Sequence, residues 1–203
     1  MPSASFGYLT AVYGIGQVLP QFILGALATR HTKTIASRFS AANPRNPGFE
    51  ILYLAENHVV AMFEVQALFG SPLNPGGIVP HPTASLVTLA IGTQLTAVVD
   101  LSDPNQPNVV GTNAQELTGD WRGYQQRGPS GSVNGPIGKA PTQEFGEQLF
   151  ALCPDVQGFL SLSARLPYYR ILSIFPNRLK KGFDYVRYAV TNASGQSQTI
   201  EIP

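Results

Sequence analysis

Residues 6–28 carry no charged side chain over 23 positions, and a run of that length admits only two surroundings, a bilayer or a protein interior. Gly7, Gly14, Gly16, Gln17, Pro20, Gln21 and Gly25 interrupt it, and no positive segment precedes it as a secretory signal would require. The run is therefore expected to be a pair of core-packed segments broken around Gly14 and Pro20, with no membrane role. Gly14-Ile15-Gly16 has Leu19 where a dinucleotide fingerprint needs its third glycine, so that motif is excluded.

A chain that buries so much has little charge elsewhere either. Charged residues make up 12% of the 203, about half of what a soluble domain usually carries. Thirteen Lys+Arg against twelve Asp+Glu leave a net charge of +1 and no basic face for direct nucleic-acid binding. Cys153 has no partner for a disulfide, and the three histidines lack metal-ligand spacing, so no metal is expected and a reducing, cytoplasmic compartment fits. The length suits one domain, residues 1–203, with a core that needs no cross-links.

Periodicity divides the chain into short strands and few helices. Residues 51–55 read as a strand; 85–91 and 95–101 read as a hairpin turning at Gly92-Thr93; 158–163, 168–175 and 183–190 follow, with 199–202 as an edge strand. Helices are expected over 57–69, with Asn57 as cap and Gly70 as stop, and over 142–152, capped by Thr142 and ended at Cys153-Pro154. Residues 70–82 and 103–141, rich in Pro, Gly, Asn and Ser, read as loops or lids. The class is α+β, mostly antiparallel mixed sheet with flanking helices.

Within the helix expected over 57–69, the polar residues are His58, Glu64 and Gln66. At roughly 100° per residue, His58 and Gln66 lie about 80° apart, whereas Glu64 lies about 120° from one and about 160° from the other. Its neighbours one turn away are Val60, Ala61, Ala67 and Leu68, so its carboxylate is expected in apolar surroundings, which is costly without a partner or a cavity. In the preceding strand Ile51, Tyr53 and Ala55 share a face. Arg38-Phe39 precedes the turn-rich Asn43-Pro44-Arg45-Asn46-Pro47-Gly48, and late in the chain Phe159, Ser161, Ser163 and Arg165 share a face that reads as a pocket lining.

Arg38-Phe39, then Tyr53-Leu54-Ala55, then Ala61 with Glu64-Val65 resembles the opening signature of the RES domain family, named for its Arg, Glu and Ser. Val98-Val99-Asp100-Leu101, Asp120-Trp121, Thr142-Gln143, Ser163-Ala164 and Ile174-Phe175-Pro176 extend the likeness across a core of about residues 36–178. The chain departs from the pattern at Leu162, where proline would precede the serine. The resemblance implies a fold similar to ADP-ribosyltransferases, NAD as substrate with no metal, and the role of toxin neutralised by a cognate, Xre-like antitoxin, in a toxin–antitoxin complex or a homo-oligomer. It implies cleavage of the nicotinamide–ribose bond by hydrolysis or phosphorolysis, with Arg38, Glu64 and Ser163 as catalytic residues and Arg38, Phe39, Tyr53 and Ser163 as substrate-binding ones. In that scheme Glu64 stabilises a sugar cation and Arg38 forks onto the pyrophosphate. Tyr53 and Phe39 wall the nicotinamide, and Ser163 bonds its amide or the ribose hydroxyls. Two further readings fit the same residues: a protein ADP-ribosyltransferase using NAD, and a non-catalytic binding domain of the same fold.

Overall fold

A computed structural model of the chain describes residues 4–14, 30–65, 68–70, 77–80, 86–103, 107, 110–125, 138–191 and 196–202. Ten strands are assigned among them: β1 (Ala4–Gly14), β2 (Leu52–Ala55), β3 (Leu68–Phe69), β4 (Val79–Pro80), β5 (Leu86–Leu95), β6 (Val98–Asp100), β7 (Gly158–Leu162), β8 (Arg170–Ile174), β9 (Tyr185–Thr191) and β10 (Ser197–Ile202). The α-helices with assigned bounds are α1 (His58–Glu64), α2 (Ala114–Thr118), α3 (Trp121–Gln125) and α4 (Pro141–Leu152).

Eight strands form one sheet in the order β10-β9-β5-β1-β2-β8-β7-β6, every neighbour antiparallel except β6 with β7, while β3 and β4 make a separate pair. The architecture is thus α+β with a mixed, mostly antiparallel sheet and few helices. Leu160 of β7 and Val186 of β9 stand five strands apart in that order yet belong to one packed cluster with Leu54, Ile91 and Leu172. One apolar face therefore runs across the sheet from β9 to β7. Alternation sends Leu52 and Leu54 to that face and Tyr53 and Ala55 to the other, where α4, α1 and the Phe39 segment pack.

Several elements differ from expectation. No hairpin forms at Gly92-Thr93: β5 continues through it, with Ile91–Gln94 paired to β9 on one side and Ile91, Thr93 and Gln94 to β1 on the other across a register shift at Gly92, so an extended backbone is held from both edges. The chain turns instead at Thr96-Ala97, where Asp184 Oδ1 accepts from Thr96 N at 2.6 Å and Gln157 Oε1 accepts from Ala97 N at 2.6 Å. β6 then leaves to pair with β7. The helix after Asn57 is also shorter than the expected 57–69. Asn57 does cap it, Oδ1 accepting from Val60 N at 3.0 Å, but Val65 ends it, and Leu68–Phe69 pair with Val79–Pro80. Gly70 serves that reversal, not a helix stop: its φ is 112°, and a Cβ there would stand 2.3 Å from Gly77 O.

The N-cap of α4 is Ala140, not Thr142, because Pro141 supplies the first helical φ one residue earlier. Within 103–141, α2 and α3 interrupt the expected loop, and Asn113 Oδ1 caps α2 by accepting from Glu116 N at 2.9 Å. Much of 70–82 and of 103–141 lies outside the described residues, as do residues 15–28 of the uncharged run. The first part of that run is β1, inside the sheet, and no helix among the described residues is long and apolar enough to cross a membrane.

Candidate active site

The site is assembled where α1 and β7 both end. Glu64 is the last residue of α1, and its Oε1 accepts from Ser163 Oγ at 2.5 Å, from Ala164 N at 2.9 Å and from Arg165 N at 3.4 Å. The acid that sequence placed in apolar surroundings instead sits in a nest of donors, supplied by the backbone just beyond β7. A carboxylate held this way keeps its charge at a fixed position, since charge-assisted bonds are the strong ones. Among the described residues no donor reaches Oε2, and Glu64 is only partly buried.

Ser163 has no accessible surface. Its hydroxyl donates to Glu64 and accepts from Arg165 N at 3.2 Å and Leu166 N at 2.9 Å. Its hydrogen-bonding capacity is therefore spent on orienting Glu64 and shaping the following turn. Arg38 approaches from the other side, Nη2 donating to Leu162 O at 3.2 Å, with its guanidinium carbon 5.1 Å from the centre of the Phe39 ring. Burial lowers the Arg38 pKa, while the Glu64 carboxylate and, more weakly, Tyr53 favour its charged form and Arg165 opposes it. Its Nε is buried and, among the described residues, has no partner. A buried cation with spare donors and one nearby carboxylate is an arrangement that gains from an anionic ligand.

Tyr53 lies on β2, and its hydroxyl meets Ser37 Oγ at 2.8 Å and accepts from Phe39 N at 3.3 Å. Burial pushes the phenol up to about 12, the bonds from Ser37 and Phe39 pulling the other way, so it stays a neutral hydroxyl. Its ring stacks with Phe39, centroids 6.2 Å apart. Phe39 itself is wholly buried and meets the Phe159 ring edge-on at 4.8 Å, so it underpins Arg38 from within the core instead of walling a ligand.

Arg38, Glu64 and Ser163 are thus brought together, with Tyr53 one residue's reach behind them, across 125 positions of sequence from 38 to 163. Sequence reasoning did not find Ser37, which has no motif to mark it, or the Ala164 and Arg165 amides, which no side-chain pattern reveals. Ser161, expected as pocket lining, and Ser173, which was not, are fully buried, their hydroxyls unpaired among the described residues, and face Tyr53's side of the sheet. Among the described residues no group of His, Cys, Asp or Glu is placed to hold a metal. A separate open cleft between Lys33, Phe49, Glu147, Phe150 and Asn177 holds none of the four residues, and its charges are already paired, Lys33 with Glu50 and Lys139 with Glu147.

The RES domain family model matches residues 18–197, which is most of the chain. The chain belongs to the RES domain family. No curated protein matches it.

Proposed function

From membership of the RES domain family we propose that the chain is an NAD-consuming toxin that cleaves the nicotinamide–ribose bond on an ADP-ribosyltransferase-like scaffold. The observation that carries this is Glu64: one carboxylate oxygen anchored by three donors, the other unpaired among the described residues, beside the buried Arg38. When the bond between the ribose carbon and the ring nitrogen breaks, its electron pair leaves with nicotinamide, which departs neutral, and positive charge develops on the sugar. A fixed carboxylate stabilises that cation without having to reorganise. The incoming water or phosphate oxygen then forms the new bond to the same carbon, and the proton of water passes to Glu64 or to solvent.

Arg38 supplies the fork for the pyrophosphate, and Tyr53 braces the segment that carries it. Ser163 acts through Glu64, since its own hydroxyl is fully engaged. In the cell the partner is a cognate, Xre-like antitoxin in the cytoplasm, where the NAD pool lies. It covers a rim that includes Tyr168, 89% exposed on the turn beyond Ser163, and exposed Val65 beside Glu64. Aromatic residues so placed suit a protein partner better than bulk water.

The test is product analysis of NAD with purified protein, with and without phosphate. Free ADP-ribose plus nicotinamide identifies hydrolysis, and a phosphorylated ADP-ribose identifies phosphorolysis. ADP-ribose attached to protein identifies the transferase alternative. Intact NAD both with and without phosphate, and no ADP-ribose attached to protein, refutes the enzymatic reading and leaves a binding domain.

A further inference from the structure

The segment carrying Arg38 is a four-residue turn closed on itself, Ser37 N donating to Ser40 O at 2.8 Å and Ser40 N to Ser37 O at 3.4 Å. Gln143, in the first turn of α4, has no accessible surface. Its Nε2 donates to Ser37 O at 2.9 Å and to Ser40 O at 3.3 Å, the two carbonyls flanking Arg38-Phe39. Its Oε1 accepts from Ala140 N at 3.1 Å, which fixes the amide's orientation. Three residues on, α4 touches the same turn with bare backbone, for a Cβ on Gly146 would stand 2.1 Å from Phe39 O. Tyr53 holds the turn from β2 through Ser37 Oγ and Phe39 N.

Burying a primary amide in a core is expensive unless its bonds are made, and methionine would fill nearly the same volume without that requirement. Two donor contacts of the amide fall on the carbonyls that bracket Arg38-Phe39. We propose that Gln143 is a positioning residue for the reaction, clamping the Ser37–Ser40 turn from α4 so that Arg38 is presented to the anionic part of the substrate at a fixed angle. This rests on the NAD-cleaving reading above. Gln143 touches no substrate; it acts through Arg38.

The test compares wild type with Gln143→Met, Arg38→Ala and the double variant. If Arg38 binds the pyrophosphate in ground and transition states alike, Gln143→Met raises KM for NAD about 2- to 10-fold, the equivalent of the lost hydrogen bonds, and leaves kcat near wild type. The double variant is then no worse than Arg38→Ala alone, because the clamp has nothing left to position. A residue that merely held α4 in place would lower the melting temperature without moving KM, and its effect would add to that of Arg38→Ala; either outcome overturns the proposal.

Should Gln143→Met not fold, Gln143→Asn takes its place under the same criteria, since the shorter side chain keeps the amide but cannot span both carbonyls. Hydrogen exchange separates this proposal from the catalytic reading. Should wild type consume no NAD, that reading fails, yet faster exchange confined to residues 37–42 in the Gln143 variant still supports the clamp. Exchange there unchanged from wild type overturns it.

Discussion

Replacing Glu64 with glutamine keeps the shape of the side chain and removes the charge, and the structure allows its two consequences to be weighed separately. The glutamine oxygen can take the place of Oε1, accepting from Ser163 Oγ, Ala164 N and Arg165 N, with its NH2 group turned to the unpaired side. What is lost in stability is the difference between charged and neutral acceptors and the attraction to Arg38, about 1–2 kcal/mol in all. For a domain of this size that is a fall of roughly 2–8 °C in melting temperature. The loss in chemistry is larger, because a preorganised charge facing the developing cation is typically worth about 10²–10³ in rate, or about 3–4 kcal/mol. Nicotinamide release under saturating NAD measures the second, and thermal unfolding the first. Apolar surroundings for Glu64 would have made glutamine neutral or stabilising; the donor nest reverses that sign. Full turnover by folded Glu64→Gln protein refutes the mechanism and makes Glu64 a structural cap on the turn after β7.

Four other outcomes are expected. On the proposed reading, Arg38→Ala weakens NAD binding more than turnover, seen as a rise in KM of about tenfold or more with kcat reduced less, since the proposed phosphate contact would be made in ground and transition states alike. Ser163→Ala lowers kcat about tenfold with KM little changed, because it removes the proton donated to Glu64 Oε1 and leaves the proposed pyrophosphate contact of Arg38 alone; an equal rise in KM would place Ser163 against the substrate after all. Because burial holds the Tyr53 phenol at about 12 against an ordinary 10, the folded chain keeps a proton that the unfolded chain releases. Stability therefore falls as pH rises from about 10 to 12, by at most about 3 kcal/mol. Tyr53→Phe flattens the slope of urea midpoint against pH, leaving the part due to Tyr188, whose phenol is also raised by burial. Arg178→Ala costs about 2 kcal/mol, roughly 4–8 °C in melting temperature, with activity per folded molecule unchanged. That guanidinium donates to the carbonyls of Phe150, Cys153 and Val156 at the end of α4 and lies 4.0 Å over the Phe150 ring.

What was legible in the sequence followed the range of the forces involved. Alternation along 51–55 assigned Tyr53 and Ala55 to one face and Leu52 and Leu54 to the other, because period two is a property of the strand alone. Asn57 was readable as a cap for the same reason, its bond to Val60 N spanning three residues. The hairpin at Gly92-Thr93 and the long helix after Asn57 failed where a distant partner decided the outcome: β9, some ninety residues on, holds Gly92 extended, and β4 draws Leu68 and Phe69 out of the helix. Neither partner leaves a mark near the residue it controls.

Glu64 shows where the same limit falls within the site. Helical neighbours at three and four residues correctly describe what lies beside an acid along its own helix. They are silent about what lies beyond its tip, and for a residue at a helix end the tip decides the energetics. Here the tip meets Ala164 N and Arg165 N, donors that every residue but proline offers and that no composition or period can reveal. Proline at 164 or 165 would therefore remove a contact that no alanine scan of side chains would find. Ala164→Pro deletes the 2.9 Å bond to Glu64 without touching any of the four family residues. Its expected signature is that of Ser163→Ala, a fall in kcat at nearly constant KM. Wild-type turnover in folded Ala164→Pro protein would show that the carboxylate does not need the Ala164 amide as an anchor.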